Sequence, residues 1–287
     1  MQEQDFPALY RSADDLSLKS QQHFFLALSV HLVTLVVAAG LSIISVSHWS
    51  IAVAQLLALL GALGCSIYLF AMRPDQLWYA GRAVAESIKT ITWRYVSRAE
   101  PFQGDDASAH SEFRRTLKQI VKQNREVCQS LTKHLDGQQF TPVMEAMRGK
   151  GLEERRATYS ASRIFDQLTW YAKKTAFNRR RSNLFFWMLI GINAVAVVCA
   201  AFRIAFPDQT FWPTDVFVAA AASLLSWMQA KKFSELAASY GLAAHEISLI
   251  KEQSLLPDTD EKFSLFVSDA ENAFSREHTQ WVARKDV

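Results

Sequence analysis

The chain alternates between long stretches without a charged side chain and stretches that are dense in them. Residues 20–72 contain no Asp, Glu, Lys or Arg over 53 positions. Helices over 24–46 and 51–72 would each rise roughly 33 to 35 Å, enough to cross a hydrocarbon core of about 30 Å. A short polar turn with Trp49 separates them, as suits a membrane interface. The pattern predicts a transmembrane helical hairpin.

A second uncharged block, 182–202, predicts a third span over 182–203, and a fourth span is predicted over 211–230. The last of these has only 15 uncharged positions, 216–230, so that crossing requires lysines to snorkel at one end. Its run of four alanines favours close approach to neighbouring helices. The alternative is a buried hairpin in a soluble helical protein, but a soluble core helix usually keeps a charged or polar stripe toward water.

Helical periodicity also marks charged segments outside the spans. In 76–98 the apolar positions fall on one stripe, which predicts an amphipathic helix that lies on the bilayer or packs against a partner helix. Glycines and Pro142 mark 137–151 as a linker. The predicted helices outside the membrane are 76–98, 112–135, 152–181, 232–253 and 261–284.

The two halves of the chain, 1–136 and 152–287, resemble each other. At an offset of 161 the segment FRRTLKQIV, from Phe113, aligns with FSREHTQWV, from Phe274. At an offset of 160 the motif G-x-A-x-x-E from Gly81 aligns with the same motif from Gly241. The expected fold is therefore an all-α integral membrane protein with two hairpins, four spans and an internal parallel repeat of about 160 residues.

Charge sets the expected topology. Residues 73–181 hold 21 Lys and Arg against 12 Asp and Glu, and basic clusters at 179–181 and 231–232 adjoin the same ends of the spans. The turns at the opposite ends are poor in Lys and Arg. The positive-inside rule then places both termini in the cytoplasm.

Several residues are candidates for function without catalysis. His31, Gln55 and Asn193 are polar side chains inside predicted spans, so they either line a pore or form interhelical hydrogen bonds. The candidate signal-coupling residues are Trp78, Arg82, Glu86, Trp93 and Glu246. The candidate packing or subunit contacts are Tyr159, Arg163, Gln167, Tyr171, Arg276 and Trp281.

Other chemistry is not indicated. The chain has no P-loop, no G-x-G-x-x-G and no G-x-S-x-G motif, so an enzyme, a cofactor and a metal site are not expected. The three cysteines show no paired spacing. A basic cluster over 114–125 fits a solvated face near anionic lipid better than a nucleotide or RNA site.

Three motifs together resemble the SLATT family, the SMODS- and SLOG-associating two-helix effector domains of bacteria. They are WYAGRAVAESIKTITWRY after the first hairpin, Tyr159-x3-Arg163-x3-Gln167-x2-Trp170-Tyr171 before the second, and SREHTQW near the end. The resemblance covers most of the chain as a tandem pair, whereas the simplest members have one hairpin.

The resemblance implies an inner-membrane effector of a conflict or antiphage defence system, in which a sensor protein or a nucleotide signal makes the effector disturb the membrane. A homo-oligomer in the lipid bilayer is expected, and DNA is not. Two alternatives stay open: a constitutive scaffold that recruits a cytosolic partner, and a small channel or transporter.

Overall fold

The protein is described by a computed structural model over residues 1–44 and 48–283, with side chains described through Ser275. Those residues form helices joined by short connections and contain no strand. The helices are α1 (Ala8–Ser42), α2 (Trp49–Met72), α3 (Pro74–Val96), α4 (Asp106–Gln123), α5 (Arg125–Gln129), α6 (Pro142–Arg148), α7 (Leu152–Tyr159), α8 (Asp166–Ala205), α9 (Thr214–Lys231), α10 (Phe233–Gln253) and α11 (Asp260–Ala283).

Three continuous helical stretches are long and apolar enough to cross a membrane: Ala8–Ser42, Trp49–Val96 and Leu152–Ala205. Helix α9 is not among them. Its 18 residues rise about 27 Å, somewhat less than a hydrocarbon core of about 30 Å. The all-helical membrane architecture predicted from the sequence is confirmed, whereas the fourth span and the repeat stay predictions.

The chain divides into two compact units. The polar unit comprises residues 1–21, 75–172 and 241–287, and the apolar unit comprises residues 22–74 and 173–240.

In the apolar unit, small and aromatic side chains mediate the helix contacts. Ala38 of α1 and Ala62 of α2 are buried although the residues around them are at least partly exposed, because small residues let helix backbones approach closely. Helix α9 packs on α1 where the rings of Trp227 and Phe25 lie 5.7 Å apart at their centroids, with the Lys231 ammonium over the Phe25 ring. Ser223 Oγ donates to the carbonyl of Leu32 at 3.5 Å.

In the polar unit, α3 is the central helix, and residues along it are buried on several sides. At its C-terminal end Tyr95 packs against Phe102 and Phe113. The Arg148 guanidinium is fully buried and donates to the carbonyls of Tyr95 and Phe102, at 2.8 and 2.9 Å. Because buried donors and acceptors must be paired, this arginine stabilises the turn after α3.

The helix boundaries differ from expectation in three places. Helix α4 begins at Asp106, capped by Asp105, and ends at Gln123 rather than extending to 135. The expected linker 137–151 contains α6, because the Thr141 hydroxyl accepts from Met144 N and Pro142 occupies the first turn. A π turn, Ser160–Phe165, interrupts the long helical segment that follows.

Candidate functional site: the surroundings of helix α3

One charged cluster joins α3 to the first turns of α1. The Arg82 guanidinium lies 3.3 Å from the Asp14 carboxylate through Nη1 and 2.6 Å from Glu86 through Nη2. Glu86 is buried, with only 5% of its surface exposed. The bond to Glu86 is more than the solvent-exposed i,i+4 pair that its spacing suggests, since both carboxylates share one half-buried cation.

Gly81 explains why α1 and α3 come this close. A Cβ atom at Gly81 would stand 3.2 Å from the carbonyl oxygen of Ala13 and 3.2 Å from the nitrogen of Ser17. Any larger residue at this position would require the two backbones to move apart by a few tenths of an ångström. The contact is completed by Ser17 Oγ, which donates to the carbonyl of Trp78 at 3.1 Å.

A second cluster is fully buried. Arg163 donates to Glu271 through Nε and Nη2, at 2.9 and 2.8 Å, in a two-pronged ion pair. The Tyr159 hydroxyl donates to the same carboxylate at 3.0 Å. Arg163 is 2% exposed and Glu271 0%. Removing either charge would leave the other buried and uncompensated.

The π turn brings Tyr159 and Arg163 to one carboxylate. A π turn hydrogen-bonds from i to i+5 and therefore has more residues per turn than the 3.6 of an α-helix. Side chains four residues apart, such as Tyr159 and Arg163, then lie more nearly in line along the helix axis. Single π turns occur frequently at functional sites.

Trp93 lies between the N-terminal segment and this cluster. Its ring meets the ring of Tyr159 edge-on at 5.8 Å and that of Phe6 at 6.3 Å. The indole Nε1 is buried and has no hydrogen-bond partner among the described residues. Trp93 is therefore held by packing.

Lys89 lies on α3 in the electrostatic field of both clusters. Burial lowers the pKa of the Lys89 ammonium from its usual 10.5, and Arg163 and Arg82 lower it further, against the opposing attraction of Glu86 and Glu271. For Arg163, burial acts to lower the pKa, but the attraction of Glu271 and other nearby groups prevails and raises it. The guanidinium stays charged.

Helix α11 packs along α3 through polar contacts. Arg94 donates to the side-chain oxygen of Asn272 at 2.7 Å and to the carbonyl of Ser268 at 3.3 Å. One turn earlier on α3, the hydroxyls of Thr90 and Ser275 lie 3.2 Å apart. The residue numbers fall along α3 as they rise along α11, so the two helices are antiparallel.

The predicted residues of this region are only partly brought together. Arg82, Glu86, Trp93, Tyr159 and Arg163 surround α3 as described. Tyr171 is buried and contributes to the electrostatic environment of Arg82, while Trp78 and Gln167 are half-buried. Glu246 is exposed on α10. The side chains of Arg276 and Trp281 lie outside the described residues.

The polar residues of the spans have different partners. His31 Nδ1 lies 3.0 Å from the carbonyl of Ala62, and Gln55 Nε2 donates to the carbonyl of Ala38 at 3.4 Å, so both bridge α1 and α2. Asn193 donates to the carbonyl of Leu189 within its own helix at 2.8 Å. Pore lining at these three positions stays a prediction.

The sequence analysis missed the acidic partners, Asp14 and Glu271. Glu271 could have been noticed, because it shares a helical face with the apolar Val267, Ala270 and Phe274. No group of three His, Cys, Asp or Glu side chains that could hold a metal ion occurs in the part of the chain that the structure describes.

Two family models match the chain in succession. Residues 7–156 match SMODS and SLOG-associating 2TM effector domain 3, and residues 159–281 match SMODS and SLOG-associating 2TM effector domain 1. No curated protein and no solved structure matches. SLATT domains are effector domains associated with defence systems. With its long apolar helices and two successive matches that together span most of its length, this chain is a membrane protein that belongs to the SLATT family as a tandem of two SLATT domains.

Proposed function

We propose that the protein is a bacterial inner-membrane effector that oligomerises and forms or opens a pore when its cytoplasmic helices receive a signal. The observation that carries this proposal is the tandem match to two-TM effector domains over residues 7–156 and 159–281. A sensor protein or a nucleotide would supply the signal in a conflict or antiphage defence system. The proposed role needs no catalysis and no cofactor.

The proposed topology has four spans. Helices α1, α2, α8 and α9 cross the bilayer as two hairpins, with α9 extended by Phe211 and Trp212 at one interface and lysine snorkelling at the other. Basic residues at 179–181 and 231–232 favour cytoplasmic termini. The polar unit would then be cytosolic and exposed to the signal.

The charge clusters around α3 supply the proposed coupling element. Helices α1 and α8 each contain residues of both units, and both contribute to the surroundings of α3. Charged groups that are buried and paired have few alternative arrangements of similar free energy. A signal that repacked α3 would therefore act on Asp14 of α1 and on Arg163 just before α8, and a continuous helix carries such a displacement along its length.

The test is leakage from bacterial cells under controlled expression, alone and with the products of the adjacent genes. Potassium efflux and entry of a membrane-impermeant dye are measured at matched membrane abundance. We expect the wild type to leak and Arg82→Gln to leak much less, since Asp14 and Glu86 lose their shared cation. Lys262→Gln is the control, because Lys262 is exposed and lies outside this cluster.

Absence of leakage in both conditions, with the protein abundant in the membrane, would contradict the effector proposal and favour a constitutive scaffold. Equal leakage from the wild type and Arg82→Gln would be consistent with a pore but would contradict the coupling role of the α3 cluster.

A further inference from the structure

In the predicted repeat, helix α10 is the equivalent of α3, and α11 is the equivalent of α4. Gly81, Ala83 and Glu86 align with Gly241, Ala243 and Glu246 at an offset of 160. Phe113 of α4 aligns with Phe274 of α11 at an offset of 161, and both rings are buried.

Several residues of α10 are exposed although the residues of α3 that align with them are buried. Glu86 and Trp93 are 5% and 1% exposed, whereas the equivalent Glu246 and Gln253 are exposed. Leu242 and Leu249 on the same side of α10 expose 62% and 63% of their surfaces. Seven residues separate these leucines, so they lie on one face of the helix. Helix α10 thus presents a partly apolar face that lacks the cover its counterpart has.

The structure shows what covers α3. Part of the cover comes from α11 of the other domain, through the contacts of Arg94 with Asn272 and of Thr90 with Ser275. An α11 from one domain therefore packs on an α3 from the other. If each helix is replaced by its equivalent in the other domain, this α3–α11 contact becomes a contact between α10 and α4.

We propose that the exposed face of α10 is covered by α4 of a second copy of this chain, in the same antiparallel arrangement that α3 and α11 have. Within one chain α4 packs its apolar face, with Phe113 and Leu117 buried, on α3. Its opposite face is exposed and points away from that contact. A second copy can therefore use this face without displacing α4 from its own core.

The register of the contact follows from the α3 and α11 pairs. Ser254, the position equivalent to Arg94, is buried in its own chain, where its hydroxyl lies 3.1 Å from that of Ser160, so the contact begins one turn earlier. There Thr90 opposite Ser275 becomes Ile250 opposite Arg114. One turn further, Glu246 stands opposite Lys118, and another turn brings Leu242 opposite Val121. Val121 is a large apolar side chain exposed on α4, and it meets an exposed leucine.

Charge complementarity supports the same pairing. The exposed face of α4 carries Arg114, Lys118 and Lys122, whereas α10 exposes Glu235, Glu246 and Glu252. Opposite potentials steer association and fix register. In this pairing the basic face of α4 lies against the acidic side chains of α10, and Leu242 and Leu249 are removed from water.

The contact joins different surfaces of the two copies, so it is head-to-tail. Such contacts close into rings when the rotation between copies permits. The role of this contact rests on the proposed function, since a ring of membrane hairpins is one way to build a pore. As a statement about association, it is tested separately.

The experiment is disulfide cross-linking between two differently tagged copies expressed together, in a background in which Cys65, Cys128 and Cys199 are replaced by alanine. One copy carries Glu246→Cys and the other Lys118→Cys. Mild oxidation should give a cross-linked band with both tags, several-fold stronger than the band from either substitution alone. The control pairs Lys118→Cys with Asp269→Cys, since Asp269 is exposed on α11.

A mixed band no stronger than the control, or an equally strong band from Glu246→Cys alone, would overturn the proposal. A charge reversal guards against accidental contact: Lys118→Glu should abolish the copurification of two tagged copies in detergent, and adding Glu246→Lys should restore it. Cross-linking without leakage would support the proposed interface and contradict the proposed pore. Leakage without cross-linking would support the pore and contradict the interface.

Discussion

Replacing Glu271 by glutamine removes one charge from the most deeply buried ion pair of the polar unit. The amide keeps one oxygen that can accept from Tyr159 and from Arg163 Nε. Its NH2 group then faces Arg163 Nη2, now 2.8 Å from the carboxylate, so two donors meet. Arg163 stays charged because its pKa lies above the usual range.

The expected loss is large. Removing one partner of a buried pair costs about 3 to 5 kcal/mol, because the remaining charge is left uncompensated. For a domain of 150 to 250 residues, 1 kcal/mol shifts the midpoint of thermal unfolding by about 2 to 4 °C. Glu271→Gln should therefore lower the midpoint by between about 6 and 20 °C.

The assay is thermal unfolding of the detergent-solubilised protein, followed by tryptophan fluorescence. Trp93 reports on this region, since its ring lies 5.8 Å from that of Tyr159. Asp269→Asn is the matched control: it neutralises an exposed carboxylate on the same helix and should leave the midpoint unchanged.

A triple variant separates the cost of an unpaired charge from the worth of the pair. Tyr159→Phe, Arg163→Met and Glu271→Leu together remove every polar group of the cluster, and apolar replacement of a buried pair is often neutral or stabilising. Its midpoint should recover most of the loss. If Glu271→Gln unfolds within about 1 °C of the wild type, the argument from burial is refuted.

Two further substitutions probe α3. Gly81→Ala forces a Cβ against the backbone of Ala13, and overpacking of this kind costs about 1 to 3 kcal/mol, so the thermal midpoint should fall. The same change at Gly104, where a Cβ meets only ordinary contact, should not lower it comparably. Lys89→Met removes a cation whose folded pKa lies below 10.5. Between the folded and the unfolded pKa of Lys89, the unfolded chain binds more protons than the folded chain, so the wild type should gain stability as pH rises. The variant should be more stable than the wild type at neutral pH, and its stability should not show this rise with pH. Lys122→Met, an exposed control, should keep the slope, and an unchanged slope in Lys89→Met would contradict the assignment.

Sequence reasoning found the long membrane helices because their signal is continuous. A run such as residues 51–72 has no charge to place in water, so the bilayer is its natural solvent. It also grouped Tyr159 and Arg163, which are four residues apart, as candidate packing or subunit contacts, since helical spacing is a local property. The short helix α6 was missed because the three glycines in 137–151 suggested a linker more strongly than the Thr141 cap suggested a helix.

What sequence reasoning could not supply was the pairing of charges across the chain. Glu271 and Arg163 are 108 residues apart, and no local pattern states that one will neutralise the other. The position of Arg148 was equally hidden, because its partners are mostly backbone carbonyls, which carry no sequence signature. Glu246 was grouped with Glu86 from the repeat alone, yet the two carboxylates have opposite exposure.

The antiparallel contact of α3 with α11 joins two SLATT domains that belong to one polypeptide. Its formation is therefore unimolecular, and dilution of the protein in the membrane does not weaken it, because the covalent connection fixes the effective concentration. A contact between α10 and α4 of separate chains obeys mass action instead. In a ring built from both contacts, the α3–α11 contact within each chain would form at any expression level. Only the α10–α4 contact between chains would depend on protein abundance.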